Sequence, residues 1–230
     1  MKRYFTLLKN ELKLSIRDMN MVIFALIMPL AVLVVLGIIY GRRPAFEGAP
    51  YSFMAQSFGA LCAISICAGG LMGLPLVVAD YRERRILKRF RVTPASPALL
   101  LLAALAMPVW GVRLTGSLPA FLGSWLLTMF STLSIGLMVG ALAKNSRQAG
   151  VIASVLYFPM LIFSGTTLPV EVMPAAMQKI VGLFPLTQGI TLMKQTFLGL
   201  GMQSALTPVA VMALVTAVCT GLAVRFFRWA

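Results

Sequence analysis

The chain has 230 residues, of which 60% are hydrophobic and 11% are charged, whereas an ordinary soluble domain carries about 25% charged residues. Its formal net charge of +14 arises from 20 basic and six acidic residues. The basic residues cluster between uncharged apolar runs, which indicates membrane orientation and argues against nucleic-acid binding. Histidine is absent, which excludes histidine metal ligands and a Ser-His-Asp triad. The composition predicts an all-α polytopic integral membrane protein, with one transmembrane domain over residues 1–230.

The first 20 residues predict an amphipathic helix. Phe5, Leu8, Leu12 and Ile16 recur at helical spacing, with basic residues elsewhere on the helical wheel. A helix of this kind lies on a membrane surface, with its apolar face in the interface. We therefore expect residues 1–20 to lie on the cytoplasmic surface. A helix packed on a soluble partner is the alternative.

The first two spans are predicted at residues 21–40 and 51–78. Both runs are uncharged and reach the roughly 20 residues that a helix needs to cross ~30 Å of hydrocarbon. The first run ends before Arg42 and Arg43, and Pro75 lies near the cytoplasmic end of the second. The chain therefore crosses the membrane twice before its most basic segment.

Residues 80–94 form a basic segment directly after span two. Cations at this position can bind anionic lipid headgroups at about 1 kcal/mol each, so a lipid-facing loop is one interpretation. Acidic residues and an apolar stripe of Ile86, Leu87 and Phe90 favour a short helix that docks on a cytoplasmic protein. The candidate partner-contact residues are Asp80, Tyr81, Arg82, Glu83, Arg84, Arg85 and Lys88.

The third span is abnormally short. Prolines interrupt the uncharged run before Arg113 and leave residues 98–107 as the one unbroken helical piece. Ten residues rise only about 15 Å, half of a bilayer. If the chain nevertheless crosses here, 15 basic residues lie in the cytoplasm and five lie outside. The positive-inside rule therefore favours six spans with both termini in the cytoplasm.

The remaining spans are predicted at residues 117–143, 149–168 and 205–224. Between the last two, residues 169–204 are rich in Pro and Gly and predict an external re-entrant hairpin of two short helices, at residues 174–183 and about 186–198. These helices are too interrupted to cross. The hairpin residues expected to face apolar surroundings or to form the turn are Met177, Ile180, Val181, Phe184 and Pro185.

Two absences bear on function. No span interior carries a charged residue, although an ion-coupled transporter usually needs an intramembrane carboxylate. The sequence also has no G-x-x-x-x-G-K-[ST] motif for nucleotide phosphates. We therefore expect no enzyme activity and no cofactor in this chain. If the chain takes part in active transport, another polypeptide must supply the energy.

The order of these features resembles the ABC type-2 exporter permeases, which are the membrane subunits of bacterial ATP-driven exporters. The amphipathic helix and span one come first, and short sequence motifs then follow in the family's order. No single motif is specific to the family. The ordered set of motifs is more specific, and it covers nearly the whole chain. The motifs are Tyr81-Arg82-Glu83-Arg84-Arg85, Thr93-Pro94-Ala95-Ser96, Ala143-Lys144-Asn145, Phe163-Ser164-Gly165, Leu168-Pro169, Met173-Pro174 and Phe184-Pro185-Leu186-Thr187.

The resemblance implies a multi-pass permease of the bacterial inner membrane. Two copies, or this chain and a related permease, would pair on two cytoplasmic ATP-binding subunits, which hold ATP and Mg. Residues 80–94 would be the coupling helix, and residues 169–204 would lie near the exit. The cargo would be a hydrophobic drug, as in multidrug resistance, or a lipid or glycan. The family has a full third span, so we expect roughly 10 to 20 residues to be missing around residues 99–107.

Two other functions stay open at this point. One is a membrane scaffold or assembly factor without transport activity, in which residues 80–94 would only anchor the chain to lipid. The other is a secondary transporter, which the charge-free spans disfavour.

The coupling interpretation predicts the effect of one charge reversal. Glu83→Lys should uncouple ATP hydrolysis from export, because Glu83 would pair with charges on the partner subunit. Insertion should persist, because the change strengthens the positive-inside bias. Substrate-stimulated ATPase activity and export in reconstituted vesicles measure this. Wild-type behaviour of the variant would contradict the coupling assignment.

Overall fold

The structure is a computed structural model that describes residues 27–40, 43–45, 51–83, 115–165, 173–200 and 205–226. Its elements in these ranges are helices, apart from one isolated bridge between Pro44 and Ser52, so the all-α prediction is confirmed there. In chain order the elements are α1 (Met28–Tyr40), α2 (Phe53–Cys67), a π-helix (Ala68–Gly73), α3 (Leu74–Glu83), α4 (Leu118–Leu142), α5 (Ser146–Phe163), α6 (Ala175–Val181), α7 (Pro185–Leu198) and α8 (Leu206–Phe226).

Four stretches of the described chain are long and apolar enough to cross a membrane. They correspond to predicted spans two, four, five and six, and they are Phe53–Asp80, Leu118–Leu142, Ser146–Phe163 and Leu206–Phe226. The apolar helix Leu30–Tyr40 is shorter and belongs to predicted span one. The polytopic membrane fold is therefore confirmed. The predicted amphipathic helix, the third-span piece at residues 98–107 and the proposed omission around it lie outside the described residues.

Span two differs from the uniform helix predicted at residues 51–78. It is a continuous helical rod of α2, the π-helix and α3, and it continues through Glu83. The π-helix contains Gly69, Gly70 and Gly73. Glycine has no side chain to stabilise the α-helical turn, and π-turns inside α-helices are frequent at functional sites. The irregular turn lies between the part of the rod that packs on α7 and the part that packs on α5.

The π-helix and α3 contact α4 through glycine. A Cβ atom at Gly136 would overlap the carbonyl oxygen of Gly70, so the two backbones touch directly. One turn later, a Cβ at Gly140 would lie 2.7 Å from the Cβ of Val78. Lipid tails are as apolar as Leu, so membrane helices associate mainly through close packing of this kind. The two glycines set the distance between span two and α4.

The central helix of the described bundle is α4, which packs against α8, α7, α3, the π-helix and α2. It carries a stripe of small, buried hydroxyl residues, namely Ser124, Thr128, Ser131, Thr132 and Ser134. Most of these hydroxyls donate to carbonyls about one turn earlier on α4, as Thr128 does to Ser124 at 2.7 Å. The hydroxyls that donate in this way are satisfied inside the helix, and the small size of all five residues lets neighbouring helices approach.

The glycine contact predicts a stability difference between two alanine substitutions on α4. Gly136→Ala should lower the free energy of unfolding by about 1–3 kcal/mol, because the added methyl group meets backbone that cannot move aside. Gly123→Ala is the matched control, because a Cβ there meets nothing within 4 Å, and it should be neutral or slightly stabilising. Thermal unfolding of the purified variants measures both. Equal midpoints would contradict the close contact.

Candidate functional site: the Glu83 contact and the α6–α7 hairpin

The last residue of α3 contacts the first residue of α5. The Oε2 atom of Glu83 accepts from the backbone N–H of Ser146 at 3.3 Å and from its hydroxyl at 3.2 Å. Backbone N–H groups in the first turn of a helix lack partners within that helix and carry partial positive charge, so a carboxylate is favourable there. Glu83 therefore connects the end of span two to the start of α5.

The start of α5 is capped by its own sequence. The side-chain oxygen of Asn145 accepts from the backbone N–H of Gln148 at 2.8 Å, and Oε1 of Gln148 accepts from the backbone N–H of Lys144 at 2.8 Å. Asn followed three residues later by Gln is a helix-start pattern. It holds the turn between α4 and α5 in one conformation, which fixes the position of the N–H group that Glu83 binds.

Small residues hold the three helix ends together below this contact. Ala79, Ala143 and Ala149 are completely buried against one another. Closer to the π-helix, Gly150 lies beside Leu76, and the hydroxyl of Ser154 lies 3.9 Å from the sulfur of Met72. These contacts join α3, the end of α4 and the first half of α5 into one packed unit.

The structure describes part of the predicted partner-contact set. Asp80 is half-buried, Glu83 is exposed, and the backbones of Tyr81 and Arg82 continue α3 between them. The predicted contact residues Arg84, Arg85 and Lys88 lie outside the described residues. Ser146 and Gln148 were not among the site residues predicted from the sequence. The three-residue spacing of Asn145 and Gln148 is nevertheless a signal for the start of a helix.

The second predicted region contains two helices, α6 and α7, which form the α6–α7 hairpin. Its turn is bonded internally: the side-chain amide of Gln188 donates to the carbonyl of Gly182, and the backbone N–H of Phe184 donates to the carbonyl of Val181 at 3.0 Å. These polar groups of the turn are therefore satisfied by hydrogen bonds within the hairpin.

The longer helix α7 packs along the first half of α4. The backbone N–H of Gly116 donates to the carbonyl of Phe197 at 2.9 Å, and the hydroxyls of Ser124 and Thr196 are 3.2 Å apart. At the other end of α7, Gly189 lies directly against Thr128. From the start of α4 to Thr128 the rise is about 15 Å, roughly half the thickness of a hydrocarbon core. The start of α7 therefore lies about halfway along α4.

Aromatic rings hold the end of α7. The ring of Phe197 lies 4.7 Å from that of Phe58 on α2 and 5.7 Å from that of Phe121 on α4. The rings of Phe58 and Phe121 are 5.6 Å apart, so each of the three contacts the other two. Such contacts add about 0.5–1.5 kcal/mol per pair beyond the buried area.

The predicted hairpin residues have different environments. Val181 and Pro185 are buried, and Met177 and Phe184 are half-buried. Ile180 is 60% exposed, and the neighbouring Leu183 is 68% exposed. The side of α6 that carries Ile180 is thus apolar but has little protein cover.

In the described ranges, no group of three or more His, Cys, Asp or Glu residues could hold a metal ion.

Apolar helices of spanning length around a buried α4 define a polytopic membrane protein, and comparison with known proteins gives its family. The family model described as "ABC-2 type transporter" matches residues 2–108 and 98–198. These ranges cover more than half of the chain, which therefore belongs to the ABC-2 type transporter family. This confirms the resemblance to the permeases of that family.

Two curated relatives agree with this family. The chain is 33% identical over 93 residues to "Inner membrane transport permease YhhJ" of Escherichia coli (strain K12), an alignment that covers 40% of this chain and 25% of that protein. It is 36% identical over 66 residues to "Nodulation protein J" of Rhizobium leguminosarum bv. viciae, covering 29% of this chain and 26% of that protein. The aligned part thus spans about a quarter of each relative. Together with the apolar helices, these matches support a multi-pass inner-membrane transporter subunit.

The Glu83 contact predicts an energetic coupling with Ser146. In a double-mutant cycle, Glu83→Gln and Ser146→Ala should be non-additive by up to about 1 kcal/mol, which is the range for exposed charged contacts. The matched control pairs Glu83→Gln with Thr191→Ala, because the Thr191 hydroxyl bonds within α7, to the carbonyl of Thr187. That pair should be additive. Thermal unfolding of the purified proteins measures both cycles, and additivity in both would contradict the contact.

Proposed function

We propose that this chain is the permease subunit of an ATP-driven exporter that moves a hydrophobic drug, lipid or glycan out of the cell. Family membership supports a transporter membrane subunit, and members of this family generally work with a cytoplasmic ATP-binding subunit. The sequence lacks a nucleotide-phosphate motif, so ATP would be hydrolysed in the partner. Two copies of the chain, or the chain and a related permease, pair on two such subunits.

The observation that carries the proposal is the connection between Glu83 and Ser146. A permease must respond to ATP binding in another protein, so a cytoplasmic element has to transmit force into the spans. Residues 80–94 follow span two directly in the sequence and carry the cations and the apolar stripe expected of a docking helix. Any movement of this segment reaches α3 through the backbone and α5 through Glu83.

The orientation follows from charge. With six spans, the termini, residues 80–94 and residues 144–148 lie in the cytoplasm, in agreement with the positive-inside rule. The α6–α7 hairpin then lies on the outer side, with α7 entering about half of the membrane beside α4. Met177, Ile180, Val181, Phe184 and Pro185 form the inner end of this hairpin, near the exit for cargo.

Two alternative roles for Glu83 can be distinguished by experiment. In the first, Glu83 contacts the partner subunit directly. In the second, Glu83 is a positioning residue that holds α5 through Ser146. Ser146→Ala removes one donor to Glu83 and leaves the carboxylate charge in place. If export per ATP falls in Glu83→Lys and not in Ser146→Ala, the direct contact dominates. Equal losses in both variants would identify the positioning role.

The decisive prediction concerns the partner. Purification of the tagged chain in mild detergent should yield an ATP-binding subunit in stoichiometric amount, with ATPase activity that increases with a transported substrate. In Glu83→Lys the export per ATP should fall about tenfold or more, because a reversed charge at an interface costs at least ~1.4 kcal/mol. Glu47→Lys, in the predicted external loop, is the matched control and should keep wild-type coupling. Reproducible absence of an ATPase would instead support the scaffold function.

A further inference from the structure

An open groove runs along α8 beside α4. Its volume is about 800 Å³. Leu127 and Phe130 of α4 form one wall, and the groove follows one face of α8 from Ala213 to Arg225. Its described lining is almost entirely apolar. No described residue of α3 or of the α6–α7 hairpin lines it.

The shape of the groove suits an extended chain. Ala213, Ala217 and Gly221 recur one helical turn apart and leave a shallow channel on α8. A Cβ atom added at Gly221 would meet nothing within 4 Å. The rise from Ala213 to Arg225 is roughly 18 Å, close to the ~15 Å that half of the hydrocarbon core requires. One acyl chain of one membrane leaflet therefore matches the length of the groove.

Among the described lining residues, the one charged side chain lies at one end of the groove. Arg225 lies in the last turn of α8, where the span reaches a membrane surface, and its side chain is exposed. Thr216 lies further along the groove, but its hydroxyl donates to the carbonyl of Met212 at 2.7 Å, so its polarity is satisfied within α8. A guanidinium at the surface end of an apolar channel complements a molecule with an anionic head and an apolar tail. Guanidinium binds phosphate oxygens with two parallel hydrogen bonds.

We propose that this groove is a binding site for one anionic glycerophospholipid. An acyl chain lies against Ala217 and Gly221, and the phosphate binds Arg225. Thr220 is about 7.5 Å closer to the membrane centre along α8, at the level of the ester groups. A second protein helix fits less well, because it would place apolar side chains against the guanidinium and leave that charge without an anion. This lipid is a resident of the bundle and not the transported cargo.

Native mass spectrometry of the purified full chain, with its partner subunit if one is present, tests the proposal. The probes are phosphatidylglycerol and phosphatidylcholine with identical acyl chains. The wild type should bind one phosphatidylglycerol in preference to phosphatidylcholine. Arg225→Gln should reduce that preference about fivefold, since a cation near the surface contributes ~1 kcal/mol. Gly221→Leu should reduce the binding of both lipids, because its side chain fills the channel.

Two control variants make the result specific. Arg147→Gln removes an exposed cation at the start of α5, and Gly123→Leu adds the same bulk at another open position, on α4. Both should bind phosphatidylglycerol as the wild type does. The proposal is overturned if the wild type has no headgroup preference or if Arg225→Gln retains it. It is also overturned if Gly221→Leu alters the oligomeric state or the unfolding temperature while lipid binding is unchanged, because a second copy or another segment of this chain would then occupy the groove.

Discussion

The backbone contact between Gly70 and Gly136 is the constraint on which the described bundle depends. Membrane helices gain little from burying apolar side chains against each other, because lipid offers the same surroundings. Their association therefore relies on close approach, and here two glycines let span two and α4 touch without any side chain between them. This distance places Val78 against Gly140 and brings the ends of both helices to the buried alanines beside α5.

The same contact lies at the irregular turn of span two. Before the π-helix, α2 packs against α7 through Gly59 and the Phe58 ring. After it, α3 packs against α5 and ends at Glu83. The rod thus belongs to two packed groups, one with the α6–α7 hairpin and one with the Glu83 contact. A π-turn is a site where a helix can change its winding at little cost in backbone hydrogen bonds, so the proposed coupling movement has a defined position to act on.

Much of the membrane fold could be predicted from local sequence, because a span must satisfy its own backbone hydrogen bonds and remain uncharged over its length. Residues 117–143 show this well, since the observed helix is Leu118–Leu142. The division of the α6–α7 segment into two helices followed from Phe184-Pro185, because Pro starts a helix more readily than it continues one. The π-helix escaped prediction, because one wider turn leaves the length and the hydrophobicity of the span unchanged.

One part of the candidate site could be predicted from the sequence, and the other part could not. Glu83 was identified from its place in a charged segment after span two, which is a local property of the sequence. Its partner Ser146 is 63 residues away and is an ordinary polar residue in an ordinary turn. The packing of α3 on α5 alone brings the two together. The groove at Arg225 likewise requires α4 beside α8, although each helix by itself resembles any apolar span.

The sequence by itself determined the class of this protein, the approximate positions of the four spans that the structure describes and the family to which it belongs, because hydrophobic length and charge placement act within a few helical turns. The tertiary structure alone decided which glycines touch, where span two changes its winding and how far α7 extends along α4. It also decided which residue donates hydrogen bonds to the Glu83 carboxylate. These features depend on distances between segments far apart in the chain, and in a membrane such distances are set by the shapes of small residues, which carry almost no signal in hydropathy.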